Sequence, residues 1–169
     1  MESEHISHEL NEEWTYYVHG NGSNYGEGVL SIGEFNTIED FWRYFNNINL
    51  EGGIRIRDKY FNGISLFRST MKPTWEDPKN INGSKLILKG NNLSYEDMWL
   101  IWKDICMYIV GETIEANGAR IVCRQMARGY LYKIEVWFEG DTVNLPTDMH
   151  LVDQLDTQIF KHSNYSSGS

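Results

Sequence analysis

Ala119-Arg120-Ile121-Val122-Cys123-Arg124-Gln125-Met126-Ala127-Arg128-Gly129-Tyr130-Leu131-Tyr132-Lys133-Ile134-Glu135-Val136-Trp137-Phe138-Glu139 is the stretch whose reading decides the fold. Residues 119–127 and 130–139 are β-rich runs joined around Arg128-Gly129, which is the pattern of a hairpin. Working outward, residues 64–68 and 86–89 read as further strands. Between them lies the turn-rich segment Lys72-Pro73-Thr74-Trp75-Glu76-Asp77-Pro78-Lys79-Asn80, whose two prolines forbid regular structure. Residues 14–19 are aromatic and β-branched with no helical period, and 29–35 alternate loosely, so both read as strands. The glycine-rich loop between these two carries Tyr25.

Two helices announce themselves by their first turns. Thr37-Ile38-Glu39-Asp40 and Ser94-Tyr95-Glu96-Asp97 each set a hydroxyl at the cap and a carboxylate three residues on, just before an apolar run. After the first, Ile38, Phe41, Phe45 and Ile48 share a face, with Trp42 on its rim. After the second, Met98, Ile101, Trp102, Ile105 and Ile109 recur at helical spacing as far as Gly111. Leu151, Val152, Leu155 and Ile159 predict a shorter last helix. Strands outnumber helices and no βαβ rhythm appears. The expectation is an α+β domain with a mostly antiparallel sheet and helices on one face. It occupies residues 10–163, between flexible tails at 1–9 and 164–169.

Composition narrows the function. A chain of 169 residues has the length of one domain, and a net charge of −9 argues against a surface that grips polyphosphate without regard to sequence. Any basic site must therefore be local. No run approaches the roughly 18 apolar residues of a membrane span, and the first ten residues lack the pattern of a signal peptide. Cys106 and Cys123 are read as buried, reduced thiols, since their spacing fits no metal knuckle. Six Trp, ten Tyr and seven Phe exceed what a core this size needs, because buried Trp and Tyr also need partners for N–H and O–H. Some rings are therefore expected to face a ligand.

Catalysis finds no team of residues. No G-x-S-x-G, H-E-x-x-H or glycine-rich phosphate loop occurs, and the histidines stand apart or in the N-terminal tail. Neither a metal nor a cofactor is expected. Binding is better supported. Trp75-Glu76 sits in a proline-bounded loop, where a flat ring and a carboxylate suit a flat, cationic base whose N–H edge bonds twice to Glu76. A second ring to sandwich that base is available in Tyr25. Arg124, Arg128 and Lys133 on the hairpin make a local cluster of positive charge that suits phosphate.

Several blocks in order resemble the mRNA cap-binding translation initiation factor 4E family. These are His8-Glu9-Leu10 with Trp14, Phe35-Asn36-Thr37-Ile38-Glu39-Asp40-Phe41-Trp42, Ser65-Leu66-Phe67, Pro73-Thr74-Trp75-Glu76-Asp77, Lys79-Asn80, Gly83, Gly111-Glu112 and Lys133-Ile134-Glu135-Val136-Trp137. The resemblance implies a non-enzymatic protein with a curved antiparallel sheet, helices on its convex face and a pocket for 7-methylguanosine on its concave face. It implies that Trp75 and Tyr25 stack on the base, Glu76 takes its N1 and N2 hydrogens and Trp137 lies against the methyl group. Arg124, Arg128 and Lys133 would bind the phosphates. On the convex face, Ile38, Trp42, Lys103, Cys106 and Met107 would receive a scaffold or a 4E-binding protein through a Tyr-x-x-x-x-Leu-hydrophobic motif. The implied partners are thus the capped 5′ end of an mRNA and that protein, with no membrane. The chain is expected as a monomer in the cytoplasm, with the nucleus as a second compartment. Tyr25 stands where most members have Trp, as in a branch that represses translation. Glu9 replaces a Pro, Leu86 replaces a Trp, and the segment after Trp137 is short. A carbohydrate-binding module with aromatic platforms is the alternative from another class.

Overall fold

The computed structural model describes residues 7–20, 28–74, 76–90, 93–149 and 154–162. Seven antiparallel strands form its main sheet: β1 (Glu9–His19), β2 (Val29–Thr37), β6 (Gly63–Arg68), β7 (Gly83–Lys89), β8 (Gly118–Met126), β9 (Gly129–Glu139) and β10 (Asp156–Lys161). Their order is β10-β7-β9-β8-β6-β1-β2, and the sheet is curved. Helices α1 (Ile38–Phe45) and α2 (Tyr95–Val110) pack on the convex face, and a second small sheet comprises β3 (Ile48–Asn49), β4 (Ile54–Ile56) and β5 (Lys59–Phe61).

Strict alternation along the central strands builds two different faces. Trp14, Tyr16 and Val18 of β1, Ile64 and Leu66 of β6, and Ile134 and Val136 of β9 point into the core beneath the helices. There they meet Phe41 and Phe45 of α1 and Met98, Trp102, Ile105 and Ile109 of α2. The intervening residues, among them Ser65, Arg120, Glu135 and Trp137, form the concave face. Both helices start as expected: Thr37 Oγ1 accepts from Asp40 N and Ser94 Oγ from Asp97 N, each at 3.2 Å.

Three expectations change. The last helix is a strand: β10 pairs antiparallel with β7, Ile159 opposite Leu86, while Leu151 and Val152 lie outside the described residues. Its apolar spacing fits a helix, but the backbone groups of β7 would otherwise end the sheet unpaired, and Thr157, Ile159 and Phe160 are good strand formers. At the start of the described residues, Glu9 opens β1 and the His8 carbonyl receives the Ile38 N–H at 2.9 Å. Cys106 is buried, in line with its reading as a buried thiol, and so drops out of the expected partner-binding surface, because it falls one turn beyond Trp102 on the buried face of α2. Burial pushes its thiol pKa up. Cys123, also free, is only half-buried. The excess of rings is also largely absorbed inside, with Trp14 and Trp102 buried without a hydrogen-bond partner for Nε1.

One glycine is dictated by the packing of this sheet. A Cβ on Gly118 would lie 2.4 Å from the Leu66 carbonyl oxygen and from the Phe67 ring. Its absence lets Phe67 reach across to Trp137, the two rings meeting edge-on at 5.3 Å and 89°.

Phe45 ties the helices together, its fully buried ring lying 5.5 Å from Phe41 and 5.2 Å from Trp99. Phe45→Ala is expected to cost about 3–5 kcal/mol, read as a lower midpoint of urea unfolding with an unchanged slope.

Candidate functional site

The loop between β6 and β7 is held by side chains bonding to backbone. Asp77 accepts the N–H groups of Lys72 and Lys79, both at 2.9 Å. The buried amide of Asn80 donates to the carbonyls of Lys72 (3.1 Å) and Thr74 (3.0 Å) and accepts from Asn117 (3.0 Å). Asn117 also donates to the Lys79 carbonyl at 3.1 Å, and the Arg120 guanidinium donates to the Pro73 carbonyl at 2.7 Å. These bonds give an irregular, proline-bounded segment a fixed shape. Glu76 is exposed on it. Trp75 and Tyr25 lie outside the described residues.

Beneath this loop the concave face is a lattice of rings and charges. Trp137 is only 3% exposed: Phe67 and Met71 pack against it, the Arg120 guanidinium carbon lies 5.0 Å from its centroid and the His162 ring lies 4.6 Å away. Its Nε1 donates to Glu135 Oε1 at 3.0 Å. Glu135, 4% exposed, has Lys133 Nζ at 3.4 Å and Lys85 Nζ at 3.8 Å from its other oxygen. Burial raises the carboxyl pKa, but Lys85, Arg120, the Trp137 N–H and Lys133 outweigh it, and the net shift is downward. Glu135 therefore stays ionised and keeps Lys133 oriented.

A second chain of bonds crosses the sheet. Arg120 Nε donates to Ser65 Oγ at 3.2 Å, and the Ser65 hydroxyl shares a hydrogen bond of 2.5 Å with His19 Nε2. Burial, with the charge of Arg120, lowers the His19 pKa from 6.5 to about 4, so the ring is neutral at pH 7.

Of the residues expected to take phosphate, Arg124 and Arg128 are exposed at the end of the β8–β9 hairpin. Lys133 is half-buried beside Glu135. On the convex face Ile38 and Met107 are each 42% exposed. Trp42 is half-buried, edge-on to Phe41 at 5.1 Å and to Phe45 at 5.9 Å, and Lys103 Nζ lies 5.8 Å from the Trp99 centroid. Cys106 is absent from this surface. Sequence reasoning missed Asn80, Asn117, Arg120, Glu135 and His162. Strand alternation in 118–139 could have placed Arg120 and Glu135 with Trp137, since all three fall on the non-core parity.

Residues 9–165 match the family model described as eukaryotic initiation factor 4E. The chain is 29% identical over 140 residues to eukaryotic translation initiation factor 4E1 of Drosophila melanogaster, covering 81% of this chain and 52% of that protein. It is 31% identical over 141 residues to factor 4E-2 of Schizosaccharomyces pombe, covering 78% and 54%. It thus spans about half the length of these curated relatives. Among solved structures, a schistosome initiation factor 4E complexed with m7GpppG and a 4E-binding protein superposes with a TM-score of 0.69 at 22% identity, covering 97% of this chain and 93% of that one. Caenorhabditis elegans factor 4E-3, in complex with the 4E-binding protein Mextli and a cap analog, gives 0.68 at 24% identity, covering 96% of each. At these identities the likeness is one of fold.

The neutral His19 has a measurable signature. Its folded pKa lies below the unfolded value, so its contribution to stability is complete above pH 6.5 and is lost as pH falls toward 4. Titration of the His19 ring by NMR is expected to give a midpoint near 4. His19→Gln is expected to flatten the decline in stability across that window.

Proposed function

We propose that this chain, which belongs to the eukaryotic initiation factor 4E family, binds the 7-methylguanosine cap of mRNA on its concave face and a protein partner on its convex face, acting in translation initiation or its regulation. The observation that supports the cap reading is the braced loop, bonded to Asn117 and Arg120 of the concave face, on which Glu76 is exposed. Relatives of this fold have been solved with cap analogs and 4E-binding proteins bound.

In this reading Trp75 and Tyr25 sandwich the methylated base. N7 methylation makes guanine cationic, which the negative faces of two rings reward, and Glu76 accepts the N1 and N2 hydrogens in parallel. Trp137, nearly covered, serves as the floor of the pocket and offers the methyl group at most an edge. Arg124, Arg128 and Lys133 take the phosphates, with Lys133 exchanging part of its interaction with Glu135 for one with the ligand. The convex site comprises Ile38, Trp42, Lys103 and Met107, and takes a Tyr-x-x-x-x-Leu-hydrophobic helix. The protein works as a monomer in the cytoplasm until a partner docks.

Fluorescence quenching by 7-methyl-GTP and by GTP tests the pocket. The methylated nucleotide is expected to bind at least about tenfold tighter, Glu76→Ala to weaken it by about 1.5–3 kcal/mol, and Tyr25→Trp to tighten it by up to about 1 kcal/mol. Equal affinity for the two nucleotides would reject the cap reading. For the convex site, Trp42→Ala is expected to lose a Tyr-x-x-x-x-Leu-hydrophobic peptide while 7-methyl-GTP binding persists. Loss of both would make Trp42 a core residue.

A further inference from the structure

Nearly all the acid of this chain lies elsewhere than at the outer end of the β8–β9 hairpin and the small sheet beside it. Arg55, Arg57 and Lys59 belong to β4, β5 and their turn, and Arg124, Arg128 and Lys133 to β8, β9 and theirs. These are six of the 15 basic residues, and Asp58 is the single acid within 54–61 and 121–133, on a chain whose net charge is −9. An ordinary solvated face intersperses the two signs.

Two contacts join the small sheet to the hairpin, on the side away from Arg124 and Lys133. The Tyr132 hydroxyl donates to the Leu50 carbonyl and accepts the Gly53 N–H at 3.1 Å. Cys123 N donates to the Asn62 carbonyl at 2.9 Å. The small sheet is therefore fastened to the hairpin on both sides of β4 and β5. Over this junction stand two exposed rings, Tyr60 (56%) and Tyr130 (43%). A Cβ on Gly53 would lie 3.4 Å from the first and 3.7 Å from the second, so the rings flank the same residue. Tyr60 also sits directly opposite Arg55 across the β4–β5 pair.

Arg57 adds a third observation. It occupies the turn with φ +57°, a conformation that Gly or Asn adopts at less cost, so a guanidinium is kept where the backbone would favour another residue.

We infer that this face, formed by Tyr60, Tyr130, Arg55, Arg57 and Arg128, is a binding surface for single-stranded RNA. Exposed rings flanked by cations are what unpaired bases and their phosphates require: the rings stack on bases of any sequence and the cations follow the backbone. Charge alone would also draw an acidic peptide, but carboxylates gain nothing from the two rings. Tyr130 shares the strand parity of Tyr132 and Ile134, so this surface lies on the helix side of the sheet, opposite the face that carries Lys133 and Glu135. The inference goes beyond the cap reading and does not depend on it, because the surface acts on uncapped RNA as well.

The test is fluorescence anisotropy with a labelled single-stranded RNA of about ten nucleotides, capped and uncapped, on the wild-type chain and on a variant carrying Arg57→Ser, Tyr60→Ser and Tyr130→Ser. All three positions are exposed, and circular dichroism checks that the variant folds. The wild type is expected to bind the uncapped RNA at least about tenfold tighter than the variant, with a logarithmic salt slope steeper by about 0.7 for each phosphate that the variant no longer neutralises. Binding of 7-methyl-GTP is expected to be the same for both. Should wild type and variant bind uncapped RNA alike, or an oligoglutamate compete as well as RNA, the inference falls. Failure of 7-methyl-GTP to bind the wild type, with the RNA difference intact, would instead overturn the cap reading alone.

Discussion

A single ionised carboxylate, that of Glu135, organises the concave face. It is nearly buried in a central strand, where a lone charge is costly, so its neighbours must compensate. They do so from three directions: the indole N–H of Trp137 on its own strand, Lys133 beside it and Lys85 on the adjoining one, with Arg120 adding its charge. The result fixes the plane of Trp137 and the direction of Lys133 together. Each compensating group is thereby held in place on the concave face.

The same logic explains how an acidic protein can serve anions. Arg120 and Lys85 work internally, one over Trp137 and against Pro73, the other beside Glu135, and so belong to the architecture. Arg124 and Arg128 remain at the exposed end of the hairpin. The chain as a whole carries a net charge of −9, while residues 121–133 hold three cations and no acid. In the cap reading, discrimination between ligands would rest on short-range groups, chiefly Glu76, exposed on its braced loop.

Much of this was legible in the chain, and the failures have a common cause. Thr37 and Ser94 marked the helix starts because caps are local, and Arg128-Gly129 marked the hairpin because turns are local. β10 was misread because its stability comes from pairing with β7, some 70 residues earlier in the chain, and nothing in its own spacing says so. β3, β4 and β5 are too short to establish a period. Cys106 was set on the surface by resemblance, whereas its helical position beside Ile105 and Trp102 puts it inside. Glu76, Trp137 and the hairpin cations could be named from their motifs, but the brace of Asp77, Asn80 and Asn117 could not. It joins residues up to 38 positions apart through side-chain amides.

The placement of β10 carries a consequence for handling and turnover. It clothes the outer margin of β7, whose Leu86, Ile87 and Leu88 are buried in the intact chain. Proteolytic clipping ahead of Asp156 would strip that margin and leave a ribbon of aliphatic residues with naked amides, ready to zip onto its counterpart in another molecule. β10 is thus the selvedge of the sheet, the woven edge that keeps the fabric from fraying.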